Sequence, residues 1–338
     1  MIIPFRVKNN INAYNFSEVK DMRLHQAIGW HCLSLFLFLA IIPLFFTLVI
    51  GNKITDAKQD FSANSPEIRV LLPNGSEEIL PLDQYLVGVI AAEMPANFPE
   101  EALKAQAVAA RTYILRFCAF AGGTNKHGAV NVCSSPAHCQ AYIPPEDLAV
   151  KWGNHSQSHI DKISRAVTAT AGLILTYEGK LVTTPYSAVC GGKSADCAET
   201  WGSYLPWLIS VDCPFDQEAP KYSSQVSLTL EEAAAKLGIT LAQAGSLRLI
   251  RQGDSGRVIK AAAGNQEFSG SELRQKLGLN STFFSWIKDG NNLIFQVKGH
   301  GHGVGLCQWG ARGMAVEGYD FESILAHYYS GTELAPAY

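Results

Sequence analysis

The chain has 338 residues, long enough for one large or two ordinary domains with ample core. Lys and Arg total 27 against 30 Asp and Glu, a formal net charge of −3, so the basic footprint of a nucleic-acid binder is missing. Eight cysteines are too few to scaffold a chain of this length by disulfides, and their spacing must decide what they do.

The first element is apolar. Residues 33–50 read LSLFLFLAIIPLFFTLVI, about the shortest run able to span a bilayer, and Trp30 and His31 extend it. Arg6, Lys8, Lys20 and Arg23 precede it, so the positive-inside rule places residues 1–25 in the cytoplasm and a transmembrane anchor at 26–50. A cleaved signal peptide is the competing reading, against which stand the long leading segment and the lack of a small-x-small cleavage site after Ile50. Either reading puts everything after Gly51 outside the cytoplasm. Residues 51–66 are polar and aperiodic and read as a linker, which leaves 67–338 as the extracytoplasmic domain.

At Glu67 the pattern changes. EIRVLLP and EEILPL flank an NGS turn and predict a hairpin. DQYLVGVIAAEM carries both helix and strand signals, and periodicity alone does not separate them. The next element is a helix from Pro99 to about Phe120. Glu100 and Glu101 favour its start. Leu103, Ala107, Ala110, Ile114 and Phe117 make one face, and Ala102, Ala105 and Ala109 a small-residue stripe. Residues 121–160 read as loop. A helix around 160–168 then precedes LILTYEGKLVTTPYSAV, a strand region with an EGK turn. Residues 229–238 and 271–278 are short helices ending at Gly, LIFQVKG is a strand, and FESILAHYYSG closes the chain as a helix. Strands and helices alternate without a βαβ rhythm. The predicted class is α+β, with a mixed sheet and helices around a helix-loop core, preceded by one transmembrane helix.

Three constellations carry candidate chemistry. Glu93 lies in an apolar run directly before Met94-Pro95. Burial disfavours a charged carboxylate, so its pKa is expected to rise, and a carboxyl protonated near neutrality is a general acid. The competing reading turns Glu93 outward to water or onto a backbone cap. The second constellation is HGAVNVCSSPAHC, with His127, Cys133, His138 and Cys139. Mixed N and S donors within thirteen residues fit a tetrahedral zinc site, with His127, Cys133 and Cys139 as first choice. A Cys133–Cys139 disulfide and incidental clustering compete with it. The third is GHGHGVGLCQWG at 299–310, whose glycines free the backbone for sharp turns around His300 and His302. YSAVCGGKSADCAETWGS at 186–203 has a similar Gly191-Gly192 turn. Cys190 and Cys197 are close enough in sequence for a local disulfide, Cys213 and Cys307 have no evident partner, Cys118 reads as a core residue, and Cys32 falls in the apolar segment.

YLVGVIAAEMPANFPEEALKAQAVAARTY, the YSAVCGGKSADCAETWG block, GHGHGVGLCQWGARGMA and the closing ILAHYYSGTEL together resemble the stage II sporulation protein D and amidase-enhancer family, over about residues 67–338. The resemblance implies a membrane-anchored lytic transglycosylase of peptidoglycan. Such an enzyme cleaves between N-acetylmuramic acid and N-acetylglucosamine on strands stripped of stem peptides and leaves a 1,6-anhydro sugar. It implies Glu93 as catalytic acid. It implies zinc, in a structural role, on His127, Cys133 and Cys139 with His138 beside them. Tyr186, Ser187, Gly191, Gly192, His302 and Gln308 become substrate-binding candidates. Cys190 and Cys307 depart from the small or polar residues expected there. Implied partners are glycan strands, a sporulation amidase and a membrane scaffold (stage II sporulation proteins P and M), and the membrane itself. Two rivals remain: a non-catalytic, wall-binding activator of a partner amidase, and a zinc hydrolase with a metal-bound water.

Overall fold

The structure, a computed structural model, describes residues 65–117 and 130–338. The proposed anchor, His127, Cys32 and Cys118 lie outside the described residues. Among the described residues no helix is long and apolar enough to cross a membrane.

The expected hairpin forms. Glu67–Leu71 and Glu77–Pro81 pair antiparallel, and Val132–Cys133 adds parallel to the first strand. The ambiguous stretch that follows is a helix, Leu82–Glu93. It is apolar around its whole circumference, and Tyr85, Leu86, Val89, Ile90 and Ala91 are fully buried. A helix buried on every side has no polar stripe, which is why its period could not be read.

Glu100–Phe117 follows as a helix. Both of its predicted stripes are buried: Leu103, Ala107, Ala110 and Ile114 on one, Ala102, Ala105 and Ala109 on the other. Beneath these helices lies a buried ion pair. Arg111 Nη2 donates to Asp83 Oδ1 over 2.8 Å and to the Val167 carbonyl, Nε also donates to Asp83 Oδ1, and Nη1 reaches the carbonyls of Thr170 and Leu173.

Residues 121–160 are not all loop. Pro145–Trp152 is a helix, and the next helix begins at Ser156 and runs to Ala169. Proline at the first position with Glu146 and Asp147 in the first turn marked that start. Only Leu148 of the shorter helix is buried, so no apolar period announced it.

Among the described residues the strands form five small sheets rather than one mixed sheet. Most strands are only two to five residues long, and helices with buried faces fill the space between them. Leu173–Tyr177 pairs with Lys180–Leu181 and with the C-terminal Glu333–Pro336. Tyr186–Ser187 pairs parallel with the distant Leu306–Cys307, which joins two of the motifs read from the sequence. Residues 223–298 build a second core, including Leu230, Leu237, Phe268, Leu273, Phe284 and Phe295. Its helices Leu230–Leu237 and Gly270–Leu277 start at capping boxes on Thr229 and Ser269 and end at Gly238 and Gly278.

Candidate active site

Glu93 is the last residue of the Leu82–Glu93 helix. Met94 is extended and buried, so the chain leaves the helix at once and the carboxyl faces a cleft. The cleft, of about 300 Å³, is lined by Glu93, Tyr113, Cys139, Gln140, Thr183, Pro185, Tyr186, Trp201 and His302. Glu93 is the one acidic residue among them. Burial pushes its pKa above the ordinary value near 4.5, and a single backbone N–H, from Ala141, opposes the rise. The competing picture of an outward-turned Glu93 does not hold. The carboxyl does accept a backbone N–H, from a segment 48 residues away.

That segment is held by packing. Tyr142 stacks on Tyr85 with ring centroids 4.8 Å apart, and the Ile143 N–H donates to the Gly88 carbonyl. A β-carbon on residue 88 would stand 2.4 Å from the Tyr142 ring, so only glycine lets the segment lie against the helix.

The walls carry polar groups awaiting a partner. The Tyr186 hydroxyl and both amide atoms of Gln140 are enclosed and have no hydrogen-bond partner among the described residues. An unpaired buried polar atom costs free energy unless a ligand satisfies it. The Glu93 charge and burial both push the Tyr186 pKa up, burial most, so its hydroxyl remains a donor. His302 is held neutral. Its Nδ1 accepts from the Val304 N–H over 3.0 Å, the ring also bonds the Tyr186 backbone, and burial lowers its pKa to about 4. Trp201 lies beside it, with ring centroids 5.2 Å apart, and is half-exposed at the cleft.

The sequence-stretch candidates divide. Tyr186 and His302 line the cleft with Glu93, and Ser187 follows Tyr186 with its hydroxyl buried and unpartnered. Gly191 and Gly192 point their N–H groups at Asp216 instead. Gln308 reaches back to Gln106 beneath the alanine helix. Gln140, Tyr113, Thr183 and Trp201 were not anticipated. Each is an ordinary polar or aromatic residue in sequence, and only the fold brings it to Glu93.

Cys133 and Cys139 are close, since the Cys133 N–H donates to the Cys139 Sγ at 3.5 Å. The two sulfurs are not joined in a disulfide, and they lie near Tyr113, whose pKa burial pushes up to about 12. Two thiols on one turn fit a soft metal ion. The expected third donor, His127, lies outside the described residues. A second set of donors was not foreseen. The local Cys190–Cys197 disulfide that the sequence spacing allows is not formed: positive φ at Gly191 and Gly192 turns the chain, and the Cys190 sulfur meets Asp216. Cys190, Cys213, Asp216 and Cys307 are all buried, with ligand atoms within 4.8 Å of one another, and could hold a metal ion.

With this geometry in place, likenesses to known proteins acquire content. Residues 75–177, which contain Glu93, match the family model described as SpoIID, stage II sporulation protein. Stage II sporulation protein D of Bacillus amyloliquefaciens is 36% identical over 265 residues, covering 78% of this chain and 77% of that protein. The protein of the same name from Bacillus subtilis is equally similar. The amidase enhancer of Bacillus subtilis is 29% identical over 304 residues, which is 74% of this chain but 40% of that longer protein. An identity of 36% sustained across more than three quarters of both chains establishes kinship, and this chain belongs to the stage II sporulation protein D family.

Proposed function

We propose that the chain is a membrane-anchored lytic transglycosylase that cuts denuded peptidoglycan strands during sporulation. One observation carries this reading: a single carboxyl, raised in pKa by burial, faces a cleft whose walls hold unpartnered hydroxyl and amide groups. Ordinary glycosidases use two carboxylates, one to protonate the leaving oxygen and one to supply or activate the nucleophile. Here the C6 hydroxyl of N-acetylmuramic acid serves as nucleophile, so one carboxyl suffices.

Protonated Glu93 gives its proton to the glycosidic oxygen as the C1–O bond breaks, and N-acetylglucosamine leaves with a free 4-hydroxyl. The C6 oxygen bonds to C1, and its proton passes to the Glu93 carboxylate, which restores the acid. Such proton transfer contributes about 10²–10⁴ in rate. The Tyr186 hydroxyl and Gln140 amide supply hydrogen bonds to sugar polar groups, and Trp201 offers a ring face to the sugar. Neutral His302 braces that wall rather than moving protons.

Cys133, Cys139 and His127 would hold a zinc ion that fixes the loop leading to Ala141. Two thiolate donors suit a structural ion, and Glu93 already supplies the acid, so the zinc is assigned a structural role. The rival reading, a non-catalytic activator of a partner amidase, is favoured by the kinship with the amidase enhancer. Product analysis on purified denuded strands separates them. Anhydro-muramyl ends support the transglycosylase, reducing ends a hydrolase, released peptides an amidase, and an unchanged substrate an activator.

A further inference from the structure

Cys213 and Cys307, which had no evident partner in sequence, converge on Cys190 and Asp216. Cys190 ends the stretch after Tyr186–Ser187, Cys213 and Asp216 flank one short turn, and Cys307 caps the Gln308–Val316 helix. Cys190 Sγ lies 3.1 Å from Asp216 Oδ2, and Cys307 Sγ lies 3.5 Å from the same oxygen. We propose that Cys190, Cys213, Asp216 and Cys307 form a closed, structural zinc site, separate from the loop pair Cys133 and Cys139.

Three features support a metal over four resting side chains. The first is spacing. Thiolate sulfurs about 2.3 Å from a tetrahedral zinc stand roughly 3.8 Å apart. Donor atoms within 4.8 Å of one another need only small shifts to reach that, and they leave no room for an iron–sulfur cluster.

The second is charge. Asp216 is fully buried, and among the described residues it makes no ion pair. The nearby Arg257 gives Nη1 and Nη2 to the carbonyls of Lys193 and Cys190 and forms no ion pair with Asp216. Burying a carboxylate is costly unless it is hydrogen-bonded and paired; Asp216 has the hydrogen bonds, and a metal ion would supply the paired charge.

The third is the surrounding shell. The N–H groups of Cys190 and Gly310 donate to Cys307 Sγ at 3.2 and 3.3 Å. Gly191 and Gly192 donate to the two Asp216 oxygens, and the Tyr328 hydroxyl lies 3.0 Å from Cys213 Sγ. Donors aimed at sulfur and carboxylate oxygen are what metal-bound thiolates and carboxylates require. Residue 310 is a glycine for the same reason, because a β-carbon there would stand 2.6 Å from the Cys213 sulfur.

All four donors come from the protein, so no position is left for substrate, and the role is to staple. The ion would tie the Gly191-Gly192 turn and the 213–216 turn to the start of the Gln308–Val316 helix. Leu306–Cys307 pairs with Tyr186–Ser187, so the staple fixes the wall that carries Tyr186.

The test uses the full chain, purified in detergent without added thiol or metal. The background variant Cys133→Ser/Cys139→Ser removes the loop thiols. Elemental analysis is expected to find about one zinc per chain in that background, since a closed four-donor site holds a single ion. Adding Cys213→Ala should remove it. Cobalt exchanged into the background should show sulfur-to-metal charge transfer and intense tetrahedral d–d bands that vanish in the triple variant. Should the triple variant fail to fold, the cobalt spectrum of the folded background decides alone, because its intensity and charge-transfer strength report coordination number and thiolates. A metal-free, folded background overturns the proposal. So does an intact mass lower by two hydrogens that maps to a disulfide among Cys190, Cys213 and Cys307, or a cobalt spectrum without thiolate bands.

Discussion

The backbone N–H of Ala141 donates to Oε1 of Glu93 over 2.8 Å, across 48 residues of chain. The bond depends on Gly88, one helical turn below, where the Tyr142 ring enters the space a side chain would fill. Gly88→Ala should therefore cost about 1–3 kcal/mol through overpacking. It should also move the 140–143 segment and lower glycan cleavage more than its loss of stability explains. Thermal unfolding and turnover measured on the same preparation check this. Unchanged turnover in a folded Gly88→Ala protein contradicts it.

The raised pKa of Glu93 sets the pH dependence. The acid form is the working form, so cleavage should persist above pH 4.5 and fall as pH rises through the raised value. The folded state holds the Glu93 proton more tightly than the unfolded chain, so this residue costs nothing at low pH. It subtracts stability as pH climbs from 4.5 through the folded pKa. Glu93→Gln should unfold at an equal or higher temperature than wild type at neutral pH, while losing activity. A clear destabilisation would contradict burial as the cause of the shift. His302, lowered to about 4, should add no inflection near its usual value.

Tyr186 separates binding from folding. Its hydroxyl has no partner among the described residues, so Tyr186→Phe removes no bond from the folded protein. We expect an equal or higher Tm and a loss of about 2–10-fold in turnover of denuded strands, the value of one neutral hydrogen bond. A lowered Tm with normal turnover would make Tyr186 structural.

Arg111 and Asp83 anchor the two helices behind the site, at 0% and 1% exposure. Arg111→Met should cost about 3–5 kcal/mol by stranding the Asp83 charge. Asp83→Asn added to it should restore part of the loss, as read by denaturant unfolding. If the double variant is less stable than the single, the stranded charge is not the cause.

The sequence spoke most clearly where periodicity is strong. Both apolar stripes of the alanine helix, the 67–81 hairpin and the two Gly-terminated helices after residue 223 stand where their patterns put them. The Leu82–Glu93 helix stayed ambiguous because burial on all sides erases the polar face that marks a helix. Glu93 itself was legible, as a carboxyl in apolar company. Gln140 and Trp201 were not, because nothing local distinguishes them. The cysteine cluster was invisible for a different reason: Cys190 and Cys307 are 117 residues apart, and no short spacing announces a site assembled from three distant segments.

The central claim is that Glu93 alone drives intramolecular cleavage. The direct measurement is mass spectrometry of purified denuded glycan strands digested by the full chain, wild type beside Glu93→Gln. The account predicts 1,6-anhydro-muramyl ends from the wild type and none from a folded Glu93→Gln protein that still binds the strands. Undiminished anhydro ends from Glu93→Gln, or reducing ends from the wild type, would contradict it.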